Sequence, residues 1–315
     1  MAELTLADLS HKKELTELWA EAFGDDEGFI SSFLEAYMIP NHNVPAVISD
    51  GGLASALYLL DFALYSNADE IGHCAYLFAA ATKKEHQNRG HMSRLIAHSA
   101  ELCQSRGQKA IFLFPQDKDP KLFDFYSKFG FEGVYAAKKI KGAGRGGAAH
   151  EPASYALRDL DISDPGVFGR LYGAYSKFAA MQPLAPVKDR LFYSRCAASY
   201  LEATGNSGTA AHFAALERID EHNCEKICYV FYKKDKNNYY IDDIIPIGAK
   251  NCPEILAGFF ADSGGGINFE INAPPSSLSD AQNERLAMIL PLAGEVRDII
   301  RELEAPIYLN MFMNV

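Results

Sequence analysis

One stretch limits what this chain can fold into. From 74 to 81 eight apolar residues run without a break into the polar segment 82–89. After Gly90, the residues Met92, Leu95, Ile96, Ser99, Leu102 and Cys103 recur at helical spacing. A continuous apolar strand needs cover on both faces, and a helix with one apolar stripe needs a sheet to lay it on. Strand, tight turn and amphipathic helix in that order predict a mixed α/β fold with a central mixed sheet flanked by helices.

The neighbouring signals agree. Periodicity predicts a helix over 11–22 with Ser10 as its N-cap, and a second over 28–38 that stops before Pro40. Extended segments follow at 44–49 and 53–65 around the Asp50-Gly51-Gly52 turn, then a strand at 110–114, a helix over 119–128 and extended chain over 131–140. The second half starts again with helices over 164–181 and 188–201. A hairpin (227–232 with 239–245), a helix over 254–260 and a strand over 267–272 follow. Extended chain over 285–290, a helix over 295–304 and a terminal strand over 307–312 complete the order. This order resembles that of the first half and predicts a diverged structural repeat. The Gly/Ala-rich stretch 142–152 has no periodic face and reads as a linker. The expected division is 1–141, a linker at 142–154, and 155–315, which suits 315 residues at ~150 per domain.

Composition excludes several classes. The net charge of -11 argues against a nucleic-acid partner. No apolar run approaches the ~20 residues of a membrane span. Glu3 and Asp8 precede any apolar segment, unlike a signal peptide. Six cysteines are too few for a disulfide framework, so free thiols and a cytoplasmic location are expected.

The residues after the 74–81 run carry the chemistry. Backbone N–H groups at the turn and at the first helical turn can converge on phosphate, and Gly90 permits the close approach. The segment Gln87-Asn88-Arg89-Gly90-His91-Met92 resembles the pyrophosphate loop of the GNAT superfamily of N-acetyltransferases, Gln/Arg-x-x-Gly-x-Gly/Ala. Gln87 and Gly90 match; Met92 replaces the usual small residue, as in the branch of the Eis-type aminoglycoside acetyltransferases. The resemblance implies that Gln87, Asn88, Arg89, Gly90, His91, Met92 and Ser93 bind acetyl-CoA as cosubstrate. It also implies that backbone at Ala80, Ala81 and Thr82 pairs with the pantetheine arm. Downstream, Phe125-Tyr126-Ser127-Lys128-Phe129-Gly130-Phe131 resembles the superfamily's Phe-Tyr-x-x-x-Gly-Phe signature. There the tyrosine often protonates the departing thiolate, a role that maps onto Tyr126; a phenol of pKa near 10 is a proton donor at neutral pH. The resemblance covers roughly 4–138. The second half is similar to the degenerate acetyltransferase-like domain of the Eis-type branch. That branch also places a terminal carboxylate in the active site, which assigns an acceptor-orienting role to the Val315 α-carboxylate.

Other motifs weigh less. Residues 142–147 spell Gly-x-Gly-x-x-Gly, but no helix with a core-facing stripe follows, so a dinucleotide site is not expected. His222, Cys224 and Cys228 lack a second cysteine pair and predict no zinc site. Asp242 and Asp243, adjacent on a strand, read as a solvated edge or turn cap. The expected function is direct acetyl transfer from acetyl-CoA to a primary amine of a small molecule or peptide. The alternative is a non-catalytic acyl-CoA-binding or regulatory protein. Neither a nucleic-acid nor a membrane partner is expected, and a homo-oligomer is left open.

Overall fold

The computed structural model describes residues 2–38, 43–115, 119–144, 154–202, 209–220, 223–248, 251–263, 266–273 and 282–302. In chain order the elements are β1 (Glu3–Leu6), α1 (Lys12–Phe23), α2 (Glu27–Phe33), β2 (Pro45–Ser49), β3 (Gly52–Ser66) and β4 (Asp69–Thr82). Next come α3 (His91–Ser105), β5 (Ala110–Leu113), α4 (Pro120–Ser127), β6 (Glu132–Ala143), β7 (Ser154–Asp159) and α5 (Pro165–Ala180). After β8 (Ala185–Val187) and α6 (Arg190–Glu202), β9 (Ala210–Asp220), β10 (Asn223–Asp235) and β11 (Asn238–Pro246) form a meander. The last elements are α7 (Cys252–Asp262), β12 (Asn268–Ala273), β13 (Gln282–Pro291) and α8 (Gly294–Glu302).

Two compact units interleave along the chain instead of meeting at one cut. The first comprises Met1–Ala63, Gly72–Gly133 and Ala287–Arg301; the second comprises Leu64–Ile71, Val134–Leu286 and Glu302–Val315. Of the expected linker at 142–154, Gly142 and Ala143 close the β6 ladder and Ser154 opens β7; residues 145–153 lie outside the described ones. A Cβ on Gly142 would overlap the Phe269 ring, so this glycine serves strand packing.

The first unit's strand order is β1-β2-β3-β4-β5-β13. The Asp50-Gly51 turn between β2 and β3 holds φ at +57° and +84°, the left-handed geometry that matches strand twist in a tight hairpin. Helices cover both faces of this sheet. Leu95, Ile96 and Cys103 of α3 and Phe123 and Tyr126 of α4 pack on Leu57, Leu59, Ala75, Leu77, Ile111 and Leu113. Each such large aliphatic side chain contributes roughly 1.5–3 kcal/mol on burial. On the other face, Trp19 of α1 meets Tyr58 at 4.8 Å and Phe33 of α2 meets Phe78 at 5.7 Å. Capping differs slightly from expectation. A 3₁₀ turn at Leu9–His11 precedes α1, and Asp8, not Ser10, supplies the capping carboxylate by accepting from the Ser10 N–H at 2.9 Å.

The second unit repeats the plan with order β6-β12-β11-β10-β9-β7. Successive residues of β10 face opposite ways. Tyr229 and Phe231 join the α5/α6 core with Leu171, Tyr175 and Tyr193, whereas Cys228 and Val230 join the α7 core with Cys252, Leu256 and Phe260. The two Asp residues depart from the expected solvated edge. Asp243 is 3% exposed, and Asp242 accepts from the Tyr200 hydroxyl at 2.9 Å beside Lys233 Nζ at 3.4 Å. Register shifts between Phe231 and Tyr232 as Asp242 is passed over, so the bulge decides where these carboxylates point.

Candidate functional site

In the first unit, β4 and β5 pair in parallel only over Cys74↔Ala110, Ala75↔Ile111 and Tyr76↔Phe112. Strand β4 continues to Thr82, so its last six residues run beyond that ladder. Ala79, at φ +46°, bends the strand in this stretch. The end of β4 is held from the side of β3: Ser55 Oγ donates to the Ala81 carbonyl at 2.9 Å and lies 2.8 Å from Thr82 Oγ1, and the Lys83 N–H donates to the Ala54 carbonyl at 2.9 Å.

A 3₁₀ turn at Lys84–His86 leads into the loop. Gln87 Nε2 donates to the Thr82 carbonyl at 3.3 Å, so this side chain braces the turn. Thus the carbonyls of Ala81 and Thr82, two of the three residues expected to face the pantetheine arm, are already engaged. Asn88 and Gly90 adopt φ of +61° and +77°, on either side of Arg89. Arg89 is exposed, 4.0 Å from Asp50 across Nη1 and Oδ2. Gly90 is the N-cap of α3 and offers no side-chain acceptor; its carbonyl takes the Arg94 N–H at 3.1 Å. The N–H groups of His91, Met92 and Ser93 therefore have no intrahelical acceptor and carry the positive end of the helix field. Left-handed residues followed by a bare helix start form an anion-binding concavity.

The side chains of that first turn divide. Met92 packs against the core cluster that holds Leu95 and Tyr126, so its bulk goes under the sheet. His91 is 6% exposed, and neither ring nitrogen meets a partner among the described residues. Burial holds its pKa below the usual imidazole value, helped by His86, whose ring lies 6.0 Å away, and by Arg94 and Arg89. His91 thus stays neutral near pH 7.

Tyr126 lies on α4, whose start is capped by Asp119 accepting from the Lys121 N–H at 2.9 Å. Its ring meets Phe125 at 5.3 Å and Phe131 at 5.7 Å, and it shares a packed cluster with Leu77, Ala80 and Met92. Burial pushes its phenol up to about 12, which keeps the proton on oxygen at neutral pH. Gly130, at φ +87°, turns the chain from α4 towards β6; a Cβ there would approach Leu290 at 3.3 Å. The structure therefore brings together the residues 80–82, 87–93 and Tyr126 in one unit. Val315 lies outside the described residues, as do His222 and the expected strand 307–312.

Sequence reasoning missed an aromatic wall on the opposite face of β4. Trp19, Phe33, Tyr58 and Phe78 pack together, with Trp19 to Phe78 at 5.4 Å; Phe78 immediately precedes the bent Ala79. The Tyr58 hydroxyl is fully buried without a partner among the described residues. The signal was the alternation of Tyr76 and Phe78 with Ala75 and Leu77 inside the apolar run. Among the described residues no group of three or more His, Cys, Asp or Glu side chains could hold a metal ion, and no helix is long and apolar enough to cross a membrane.

Comparison with known proteins bears on this geometry. A sequence model of the acetyltransferase (GNAT) domain matches residues 4–134. A search of the curated proteins found no match. Among solved structures, a conserved protein of Enterococcus faecalis V583 described as a probable N-acyltransferase superposes with a TM-score of 0.71 at 12% identity, covering 93% of this chain and 72% of that one. Eis1 from Mycobacterium abscessus gives 0.66 at 14% identity, with 94% and 74% covered. A tandem GNAT protein from the clavulanic acid biosynthesis pathway gives 0.53 at 12% identity, with 93% and 99% covered. The chain has the GNAT-superfamily acetyltransferase fold, in a mixed α/β architecture with a tandem, GNAT-like second region.

Proposed function

We propose that the first unit binds acetyl-CoA and transfers its acetyl group directly to a primary amine of a small molecule or peptide. One observation carries the reading: parallel pairing of β4 with β5 stops at Tyr76↔Phe112, and beyond it stand the left-handed Asn88 and Gly90 and the uncapped start of α3. The N–H groups of His91, Met92 and Ser93 would hold the diphosphate, and the last residues of β4 would line the pantetheine arm. When bound, the cosubstrate supplies the thioester carbon that the amine attacks. The Tyr126 hydroxyl, protonated at neutral pH, gives its proton to the leaving sulfur. The aromatic wall of Trp19, Phe33 and Phe78 would shield the acceptor side from water.

Calorimetric titration with acetyl-CoA tests the binding step, and thiol release across a panel of amines tests transfer. Saturable binding with release that needs both substrates is expected; no binding to folded protein overturns the reading. Tyr126→Phe keeps the ring and should lower turnover ~10²–10⁴-fold with little change in acetyl-CoA affinity. Wild-type turnover in that variant, with chemistry limiting, would assign Tyr126 to packing. Binding with no turnover for any amine would favour the non-catalytic acyl-CoA-binding alternative.

A further inference from the structure

We propose that the first unit carries a second small-molecule site, which takes a zwitterion bearing one carboxylate and one ammonium group, as a free α-amino acid does. A cavity of about 620 Å³ opens beside the C-terminal end of α3, lined by Asn43, Leu59, Asp61, His73, Arg106 and Gln108. That volume falls in the ~300–1,000 Å³ range of small-molecule sites. Strand alternation puts Asp61 on the face of β3 that carries Leu59, and His73 on the face of β4 that carries Ala75, so both stand on the α3 side of the sheet. Gly107, at φ +74°, ends α3, and the Gln108 N–H closes the turn on the Cys103 carbonyl at 3.0 Å. This stop brings Arg106 and Gln108 to the cavity.

Two opposite charges are held in place there. Asp61 accepts from Gln108 Nε2 at 2.6 Å through one oxygen and meets His73 Nδ1 at 2.7 Å through the other. The Arg106 guanidinium donates through Nη1 to the Asn43 side-chain oxygen. Asn43 is a fixed anchor: it is buried, its N–H donates to the Met38 carbonyl at 3.2 Å, and its carbonyl takes the Leu59 N–H at 3.0 Å. The guanidinium and the carboxylate are thus oriented before any ligand arrives, which lowers the ordering cost of binding. The side chains of Asp61 and His73 are about half exposed, so a ligand reaches them from solvent.

The two charges select the ligand. A simple anion meets the Asp61 carboxylate and a simple cation meets the Arg106 guanidinium, so each is opposed by a like charge. A molecule that carries both satisfies both. Its carboxylate takes the fork of Arg106 and the Nε2 side of His73, and its ammonium donates to Asp61 and to Gln108 Oε1. The site is separate from the one proposed for acetyl-CoA. Helix α3 has 15 residues, a length of ~22 Å, with the left-handed loop at its start and the cavity at its end. Both sites can therefore be filled together.

The full-length protein is screened by thermal shift against each of the common L-α-amino acids at millimolar concentration, and the strongest is titrated by calorimetry with and without CoA. Saturable binding, unchanged by CoA, is expected. The N-acetyl and carboxamide derivatives of that amino acid, each lacking one charge, should bind at least ~10-fold more weakly, as should the amino acid to Asp61→Asn and Arg106→Gln. CoA affinity should not change in either variant. Should a variant not fold, the wild-type protein still decides: the amino acid should protect His73 from diethyl pyrocarbonate, read by mass spectrometry. No binding by any amino acid would overturn the proposal, as would equal affinity for a derivative lacking one charge. Full affinity in both variants with His73 unprotected would also overturn it, by moving the amino acid to the acceptor side of the proposed transferase site.

Discussion

At Gly90 the backbone stands at φ +77°, and a Cβ there would meet nothing within 4 Å. Its tolerance is thus limited by dihedral angle and not by space. A residue with a side chain pays roughly 1–2 kcal/mol to enter the left-handed region, and a β-branched one more. Gly90→Val should therefore tilt the loop out of its cradle and weaken CoA binding by roughly 5–30-fold. Gln87→Ala removes one 3.3 Å brace to the Thr82 carbonyl, in a loop open to water, and should cost less than the valine change. Calorimetry on variants with matching circular dichroism compares the two. Equal affinities in Gly90→Val and wild type would remove the cradle from the reading. Met92, by contrast, could not be interpreted from its position in the loop alone. Only the packing around it shows that its bulk goes into the core cluster.

Among the elements, α3 carries the most chemistry at its start. His91 is neutral there because burial and the nearby His86, Arg94 and Arg89 oppose its protonation, with Asp50 acting the other way. Above the unfolded imidazole value near 6.5 both states are neutral, and His91 adds no pH dependence. Below it the unfolded chain takes up the proton first, so acidification lowers stability until the folded group also titrates, by at most about 1.4 kcal/mol per pH unit. His91→Leu removes both the titration and two buried, unpartnered nitrogens. Thermal unfolding from pH 7.5 to 5.5 should show a smaller acid-side fall in Tm for the variant than for wild type. Parallel curves would mean that His91 is solvated before unfolding. At the other extreme stands β9, whose four alanines with Leu216, Glu217 and Arg218 favour helix. Its antiparallel ladder with β10, running from Asn223↔Asp220 to Lys234↔Ala210, overrides that propensity.

In the whole molecule, the outer edge of β5 is completed by residues far away in the chain. Met288↔Leu113, Ile289↔Phe112, Leu290↔Ile111 and Pro291↔Ala110 pair β13 with β5, and α8 follows with Val296 fully buried. Lys109 Nζ meets Glu295 at 2.8 Å, and the Leu292 N–H donates to the Lys109 carbonyl at 2.9 Å. A fragment ending at 141 leaves that edge unpaired and the apolar contacts of Met288 with its cluster exposed. It should aggregate or unfold without a cooperative transition and should not bind CoA, whereas the full chain melts cooperatively. Circular dichroism, sedimentation and calorimetry on both check this. A folded, monomeric fragment with full-chain affinity would show that β13 is dispensable.

What the sequence determined by itself is what neighbours along the chain decide. The apolar run before Gly90 and the stripe after it specify strand, loop and helix, because alternation, helical period and left-handed turns are local properties. The matched residues of the Gln87–Gly90 loop and the 125–131 segment pointed to the superfamily whose fold the chain has. Tertiary structure alone decided where β4 leaves β5, that Gln87 turns back to brace Thr82, that Asp243 is buried, and that β13 pairs with β5 in the first unit while β6 pairs with β12 in the second. Each of these depends on which distant segment gains most by burying a given edge or face. That competition is settled by the folded whole and leaves little trace in the spacing of residues along one strand.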